Sequence, residues 1–191
     1  MKEEKSSQDA AAILLTLLHG NQLKRTVRTG WVQRGVANPE NVAAHSFGVV
    51  YAVLALSQLV SDPIELEKAL VMATLHDLPE GLTTDIPTPA WRYLPKGIKT
   101  QVERAAMQEM LVGTPFEARW MMLWEELHAA ETAESRLVHD ADKLDMFVQA
   151  YMYEKQTGNM QLAEFWAKPH AFHYPEAQAI YDALRAMREV E

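Results

Sequence analysis

Three titratable residues crowd the end of one apolar run. The stretch ALVMATL leads directly into His76 and Asp77, and Glu80 follows after Pro79. On a helix of 3.6 residues per turn, His76 and Glu80 would share a face, with Asp77 about 100° around from His76. An imidazole flanked by two carboxylates is a nitrogen and oxygen donor set, suited to Mn, Fe, Co, Ni, Zn or Mg. It is also the raw material of general acid and base catalysis. Asp85 stands a few residues on, in a loop closed by Pro87 and Pro89.

A single helix end does not close a metal site, so further ligands must come from elsewhere in the chain. His45 lies in VAAHSFGVVYAVLALSQLV, on a helix whose core face should hold Val42, Val49 and Ala52. An imidazole there is costly unless its lone pair is used. The stretch RLVHDADKLDMFVQA offers three aspartates. Asp140 has Arg136 four residues before it and Lys143 three after, the spacing of a solvent-facing ion pair. Asp142 has Val138 and Met146 as its fourth neighbours and so projects along an apolar row, where a carboxylate needs a cation. Asp145 fits either face. The expected ligands are therefore His45, His76, Asp77 and Asp142, and the second His-Asp pair, His139 and Asp140, is a decoy.

The elements that would carry these residues read as helices. Apolar residues recur at three and four, and no strand-length alternation stands out. The pattern predicts helices near 8–19, 39–60, 63–77, 97–112, 115–128, 131–157 and 175–189. Asn38-Pro39 and Asp62-Pro63 have the form of an N-cap followed by proline, and Thr114 to Glu117 that of a capping box. Gly20, Gly113 and Gly158 stand where helices would stop. Residues 81–96, with three prolines and the aromatics Trp91 and Tyr93, form the one long irregular connection, and such loops tend to be functional. The expected fold is an all-α compact bundle, one domain over 1–191.

Composition narrows the partners. A net charge of −8 without any Lys/Arg-rich run disfavours nucleic acid. The absence of cysteine rules out thiolate nucleophiles and zinc-thiolate sites, so any metal must be held by His, Asp and Glu. No apolar run approaches membrane-spanning length and the N-terminal residues lack a secretory pattern, so a cytoplasmic protein with no membrane partner is expected. His170 and His173 in KPHAFHYPE read as packing or surface residues.

In their order and spacing the ligands resemble the H…HD…D pattern of the HD-domain superfamily of metal-dependent phosphohydrolases. The stretches RTGWVQRGV, NPENVAAHS, LHDLPEGLTTDIPTP and ADKLDMFVQAYMYE are similar to the small HD-domain proteins related to 5'-deoxynucleotidases, over roughly 22–157. The resemblance implies one divalent ion on His45, His76, Asp77 and Asp142, catalytic roles for Glu80 and Asp85, and a nucleotide-contacting role for Trp31. It also implies a homodimer, for which the Met-Trp helix near 115–128 offers an apolar surface. Gly30 departs from the pattern, because the best-studied nucleotidases carry arginine before the tryptophan. Phosphate binding would then fall to Arg28 or Arg34. Release of phosphate from nucleoside 5'-monophosphates, with deoxynucleotides preferred, is the activity implied. Triphosphate hydrolysis on the same site, or a non-catalytic helical module with a relict site, are the alternatives.

Overall fold

The computed structural model describes residues 2–87, 90 and 92–190, with the side chains of 2–4 left aside. Thr88, Pro89 and Trp91 of the predicted irregular connection lie outside the described residues. The helices are α1 (Lys2–Gln22), α2 (Thr29–Val32), α3 (Val42–Leu56), α4 (Leu66–Leu75), α5 (Glu80–Thr83), α6 (Ile98–Leu111), α7 (Glu117–Ala129), α8 (Ala133–Thr157) and α9 (Pro175–Val190), with a 3₁₀ segment at Met160–Trp166 between the last two. Among the described residues there is no strand, only an isolated antiparallel bridge between Val27 and Asn41. The fold is all-α, as the apolar periodicity implies.

Helix starts differ from the proline-based expectation. The cap of α3 is Asn41, not Asn38, and its side chain accepts from the Ala44 amide at 2.9 Å. The helix cannot begin earlier because the preceding backbone is committed to the bridge, with Val42 N donating to Thr26 O at 2.8 Å and Arg28 N to Glu40 O at 3.1 Å. Helix α4 likewise starts at Leu66 rather than after Asp62. Glu117 reaches back to the Gly113 amide at 2.8 Å, so it does not complete a box with Thr114. The capping box forms instead at α8, between Thr132 and Ser135. Gly20 ends no helix, since α1 continues to Gln22, whereas Gly158 closes α8 in the left-handed region at φ 64°.

The 25-residue α8 is the central element, packed against α3, α4, α7 and α9. One apolar cluster joins Val49 and Val53 of α3, Met72 of α4, Leu137 and Leu144 of α8, and Tyr181 of α9. A second joins Val42, Leu75, Met107, Met110 and Trp124. Helix α7 gives Leu123, Trp124 and Leu127 to these cores and leaves Met122 exposed, so the Met-Trp stretch is chiefly a core element.

Helix α4 stops at Leu75, with His76 as its C-cap. Residues 76–79 form tight turns, with Leu78 N bonded to Leu75 O and Glu80 N to Asp77 O, both at 3.1 Å. Pro79 has no amide hydrogen to extend the i→i−4 ladder, which is why the helix cannot run on to Glu80. Glu80 therefore opens a separate short helix, α5, instead of sharing a helix face with His76.

Candidate metal and phosphate site

Helices α3, α4 and α8 bring His45, His76 and Asp142 to one point, with donor atoms all within 4.8 Å of one another. The two imidazole Nε2 atoms face each other at 3.3 Å, and His45 Nε2 lies 3.2 Å from Asp142 Oδ1. Asp77 Oδ2 closes the group at 3.2 Å from His76 Nε2 and 3.7 Å from His45 Nε2. Both rings are held from behind: His76 Nδ1 bonds the Ala73 carbonyl and His45 Nδ1 bonds Asp145 Oδ2, each at 2.7 Å. With each Nδ1 committed to an oxygen acceptor, the paired Nε2 atoms are left pointing at one another, an arrangement that a shared cation makes favourable.

The electrostatics agree with that demand. Burial opposes charge on His45, yet the carboxylates of Asp142 and Asp145 push its pKa up to about 9. Burial opposes the carboxylate of Asp77 too, but His76 and Arg28 hold it well below the usual range. Asp142 is likewise held low against its burial, chiefly by Lys143. The two aspartates thus retain negative charge in a buried place, which fits a divalent metal ion between the imidazoles.

A cavity of about 250 Å³ opens over this group, lined by Arg28, Gly30, Trp31, Arg34, Asp77, Glu80, Asp85, Lys99, Asp142 and Lys143 among others. Glu80 is buried on its rim, and its Oε2 makes no hydrogen bond within the described protein. Burial, reinforced by Asp77 and Asp85, pushes its pKa up to about 9. Asp85 is delivered by Thr84, a β-branched residue at φ 61°, a rare conformation that redirects the chain as α5 ends. Its Oδ2 accepts from the Thr29 amide at 2.5 Å and from the Thr29 hydroxyl at 3.1 Å, and that hydroxyl also donates to the Asp85 carbonyl at 2.7 Å. Asp85 is thus anchored to the start of α2 and does not hang on a free loop.

The three residues expected at the nucleotide are placed differently from one another. Arg28 Nη1 donates to Asp77 Oδ2 at 3.0 Å, at the edge of the His45, His76 and Asp142 group. Arg34 bonds the Gly30 carbonyl and Glu164, both at 3.0 Å, with its guanidinium 4.4 Å over the Phe165 ring. Trp31 is buried at 2% exposure, its Nε1 bonded to Glu40 at 2.9 Å and its ring against Tyr153 and Phe165. It lines the cavity wall rather than offering a free face for stacking.

Asp140 departs from the sequence expectation. It is 1% exposed and does not pair with Arg136 or Lys143 at the surface; its carboxylate accepts from the amides of His173 and Tyr174 and lies 2.8 Å from the His173 ring. The periodicity was blind to this because the partner segment folds back from beyond 158. It remains apart from the His45, His76 and Asp142 group, and Lys143 pairs instead with Asp142 at 2.8 Å. Lys143 and Lys99, both on the cavity wall, were not marked by any motif. A lysine directly after the inward aspartate was the available signal for the first.

The sequence matches the HD domain family over residues 20–180. It is 32% identical over 189 residues to human 5'-deoxynucleotidase HDDC2, covering 96% of this chain and 89% of that protein. A Dictyostelium discoideum protein of the same name is 34% identical over 180 residues, covering 88% and 94%. Among solved structures, a conserved hypothetical protein from Pyrococcus furiosus superposes with a TM-score of 0.76 at 37% identity, over 90% of this chain and 98% of that one. The PH0347 protein from Pyrococcus horikoshii gives 0.74 at 34% identity, over 92% and 98%. With histidines from two helices, a His-Asp pair and a distant aspartate converging under one cavity, and a family match spanning most of its length, this chain belongs to the HD-domain family.

Proposed function

We propose that the protein is a metal-dependent phosphohydrolase that removes phosphate from nucleoside 5'-monophosphates, with deoxynucleotides preferred. The observation that carries this reading is the position of the cavity. Its lining includes Asp77 and Asp142, the carboxylates beside the facing His45 and His76 nitrogens, together with Arg28, Arg34, Lys99 and Lys143 and the acidic Glu80 and Asp85. Cations around a carboxylate-bound ion are what a phosphoryl group requires as charge spreads over its oxygens. The volume, about 250 Å³, falls just below the roughly 300–1,000 Å³ of most small-molecule pockets. That size favours one phosphate and its sugar over a triphosphate tail. The names of the relatives support the same substrate class.

His45, His76, Asp77 and Asp142 would hold one divalent ion. Such an ion supplies Lewis-acid stabilisation of phosphoryl charge and a nucleophile at neutral pH. Arg28 offsets the charge of Asp77 and turns its remaining donors toward the cavity. Glu80, buried and with Oε2 unengaged, would shuttle a proton at the reacting groups, serving as base only once the charge of a bound ion offsets Asp77 and Asp85 and frees its carboxylate. Asp85, held by Thr29, faces the leaving alkoxide or the sugar hydroxyls. Trp31 and Arg34 shape the outer wall through Glu40, Phe165 and Glu164. The test is a phosphate-release screen over deoxy- and ribonucleotides with one to three phosphates, each with Mn²⁺, Co²⁺ or Mg²⁺. Turnover confined to monophosphates is expected. Preferential hydrolysis of triphosphates would move the assignment to the triphosphate reading, and no turnover under any condition would leave a relict site.

A further inference from the structure

Asp145 takes no part in the proposed ligand set, yet it is the residue that fixes His45. Its Oδ2 lies 2.7 Å from His45 Nδ1, on the side of the ring away from His76 and Asp142. The ring itself is fully buried and has no second conformation open to it without losing that bond. For Asp145 to reach this position from α8, its carboxylate must enter the surface of α3. A Cβ built on Gly48 would lie 2.0 Å from Asp145 Oδ1 and 2.7 Å from its carboxyl carbon. No rotation of an ordinary side chain at position 48 relieves a contact of that kind, since the Cβ is fixed by the backbone. Glycine in the middle of a helix is otherwise unfavourable relative to alanine.

We propose that Gly48 and Asp145 form a positioning device for the metal site: the missing side chain on α3 admits the carboxylate, and the carboxylate holds His45 with Nδ1 protonated and Nε2 turned to the ion. Asp145 is a positioning residue, acting through His45. A carboxylate behind a ligating imidazole sets the tautomer and raises the basicity of the ligand, and its removal typically weakens metal binding about 10- to 100-fold. The inference rests on the reading of His45 as a metal ligand.

The test is calorimetric titration of the metal-stripped full chain with Mn²⁺, for wild type, Asp145→Ala, Asp145→Asn, Gly48→Ala and the double variant Gly48→Ala/Asp145→Ala. Asp145→Ala and Gly48→Ala should each weaken Mn²⁺ binding about 10- to 100-fold. Asp145→Asn, which keeps an acceptor for Nδ1–H, should lose less. The Gly48→Ala effect should vanish in the Asp145→Ala background, because there is then no carboxylate to displace; simple helix damage would add to the loss instead. In the Co²⁺-loaded wild type, the Nδ1 proton of His45 should appear as a slowly exchanging, paramagnetically shifted resonance that Asp145→Ala abolishes. Wild-type Mn²⁺ affinity in Asp145→Ala, or an undiminished Gly48→Ala loss in the double variant, would overturn the inference while leaving the metal site standing. Failure of the wild type to bind Mn²⁺ or Co²⁺ would remove the metal-site reading, and this inference with it.

Discussion

At the scale of single residues, the site separates groups that hold charge from one that holds a proton. Asp77 and Asp142 stay ionised because cationic neighbours outweigh burial, whereas Glu80 is surrounded by burial and by Asp77 and Asp85, which work against its charge. Groups whose environments push them apart in this way are suited to different roles in one reaction. Glu80→Gln should keep metal content and fold and lower kcat by roughly 10²- to 10⁴-fold, the usual contribution of a general acid or base. Loss of bound metal from that variant, measured by elemental analysis, would make Glu80 a ligand. The neighbouring aspartates should divide as the distances do. Asp142→Ala is expected to strip the metal, being 3.2 Å from His45 Nε2, while Asp140→Ala should keep it.

At the scale of elements, Asp140 has a structural task. It accepts from two successive amides, His173 at 3.0 Å and Tyr174 at 2.8 Å, where the chain turns into α9. Hydrogen bonds to a charged group contribute about 1.5–3 kcal/mol each, so Asp140→Ala should lower the unfolding free energy by at least about 2 kcal/mol, read by urea denaturation. An unchanged midpoint would show that α9 docks by its apolar face alone. A similar strap ties α4 to α8, where Glu134 accepts from the Glu65 amide at 2.9 Å and from Lys68 at 3.3 Å. Although burial raises the pKa of Glu134, these donors bring it below its ordinary 4.5. The group is lowered on folding, so its stabilisation is complete above the unfolded value and is lost as pH falls through the folded one. Wild type should therefore be more stable than Glu134→Gln near neutrality, with the two melting curves converging as pH drops below about 4.5.

At the scale of the whole molecule, three helices and one bridge meet to form a site that no segment contains. An ion bound only by the assembled chain must stabilise it by mass action, by about 2.7 kcal/mol at a hundred times Kd. For a chain of this size that corresponds to a Tm higher by roughly 5–10 °C, reversed by a chelator. A flat Tm across added Mn²⁺, Co²⁺ and Mg²⁺ would count against the site. Homodimerisation is proposed on the resemblance. Since α7 turns Trp124 inward, the apolar surface on offer includes Phe47 and Tyr51, 73% and 68% exposed and one turn apart on α3. Sedimentation velocity should show a dimer that Phe47→Glu dissociates, and a wild-type monomer at micromolar concentration would refute the proposal.

What the sequence determined by itself was whatever depends on neighbours within a helical turn or two. Period-3.6 apolar spacing made the chain all-α, and an inward row marked Asp142 because its flanks, Val138 and Met146, are local. The order of His45, His76-Asp77 and Asp142 carried the resemblance for the same reason, since motif spacing is a property of the chain. Tertiary structure decided what depends on partners remote in sequence. Asp140 left the surface because His173 and Tyr174 return to it from 33 and 34 residues away. Trp31 became a wall because Tyr153 and Phe165 enclose it, and Asp85 became fixed because Thr29 lies beside it. No local pattern marks Gly48; its role comes from Asp145, on another helix, which occupies the space its side chain would fill. Helical periodicity says which way a side chain points; only the packed fold says what meets it there.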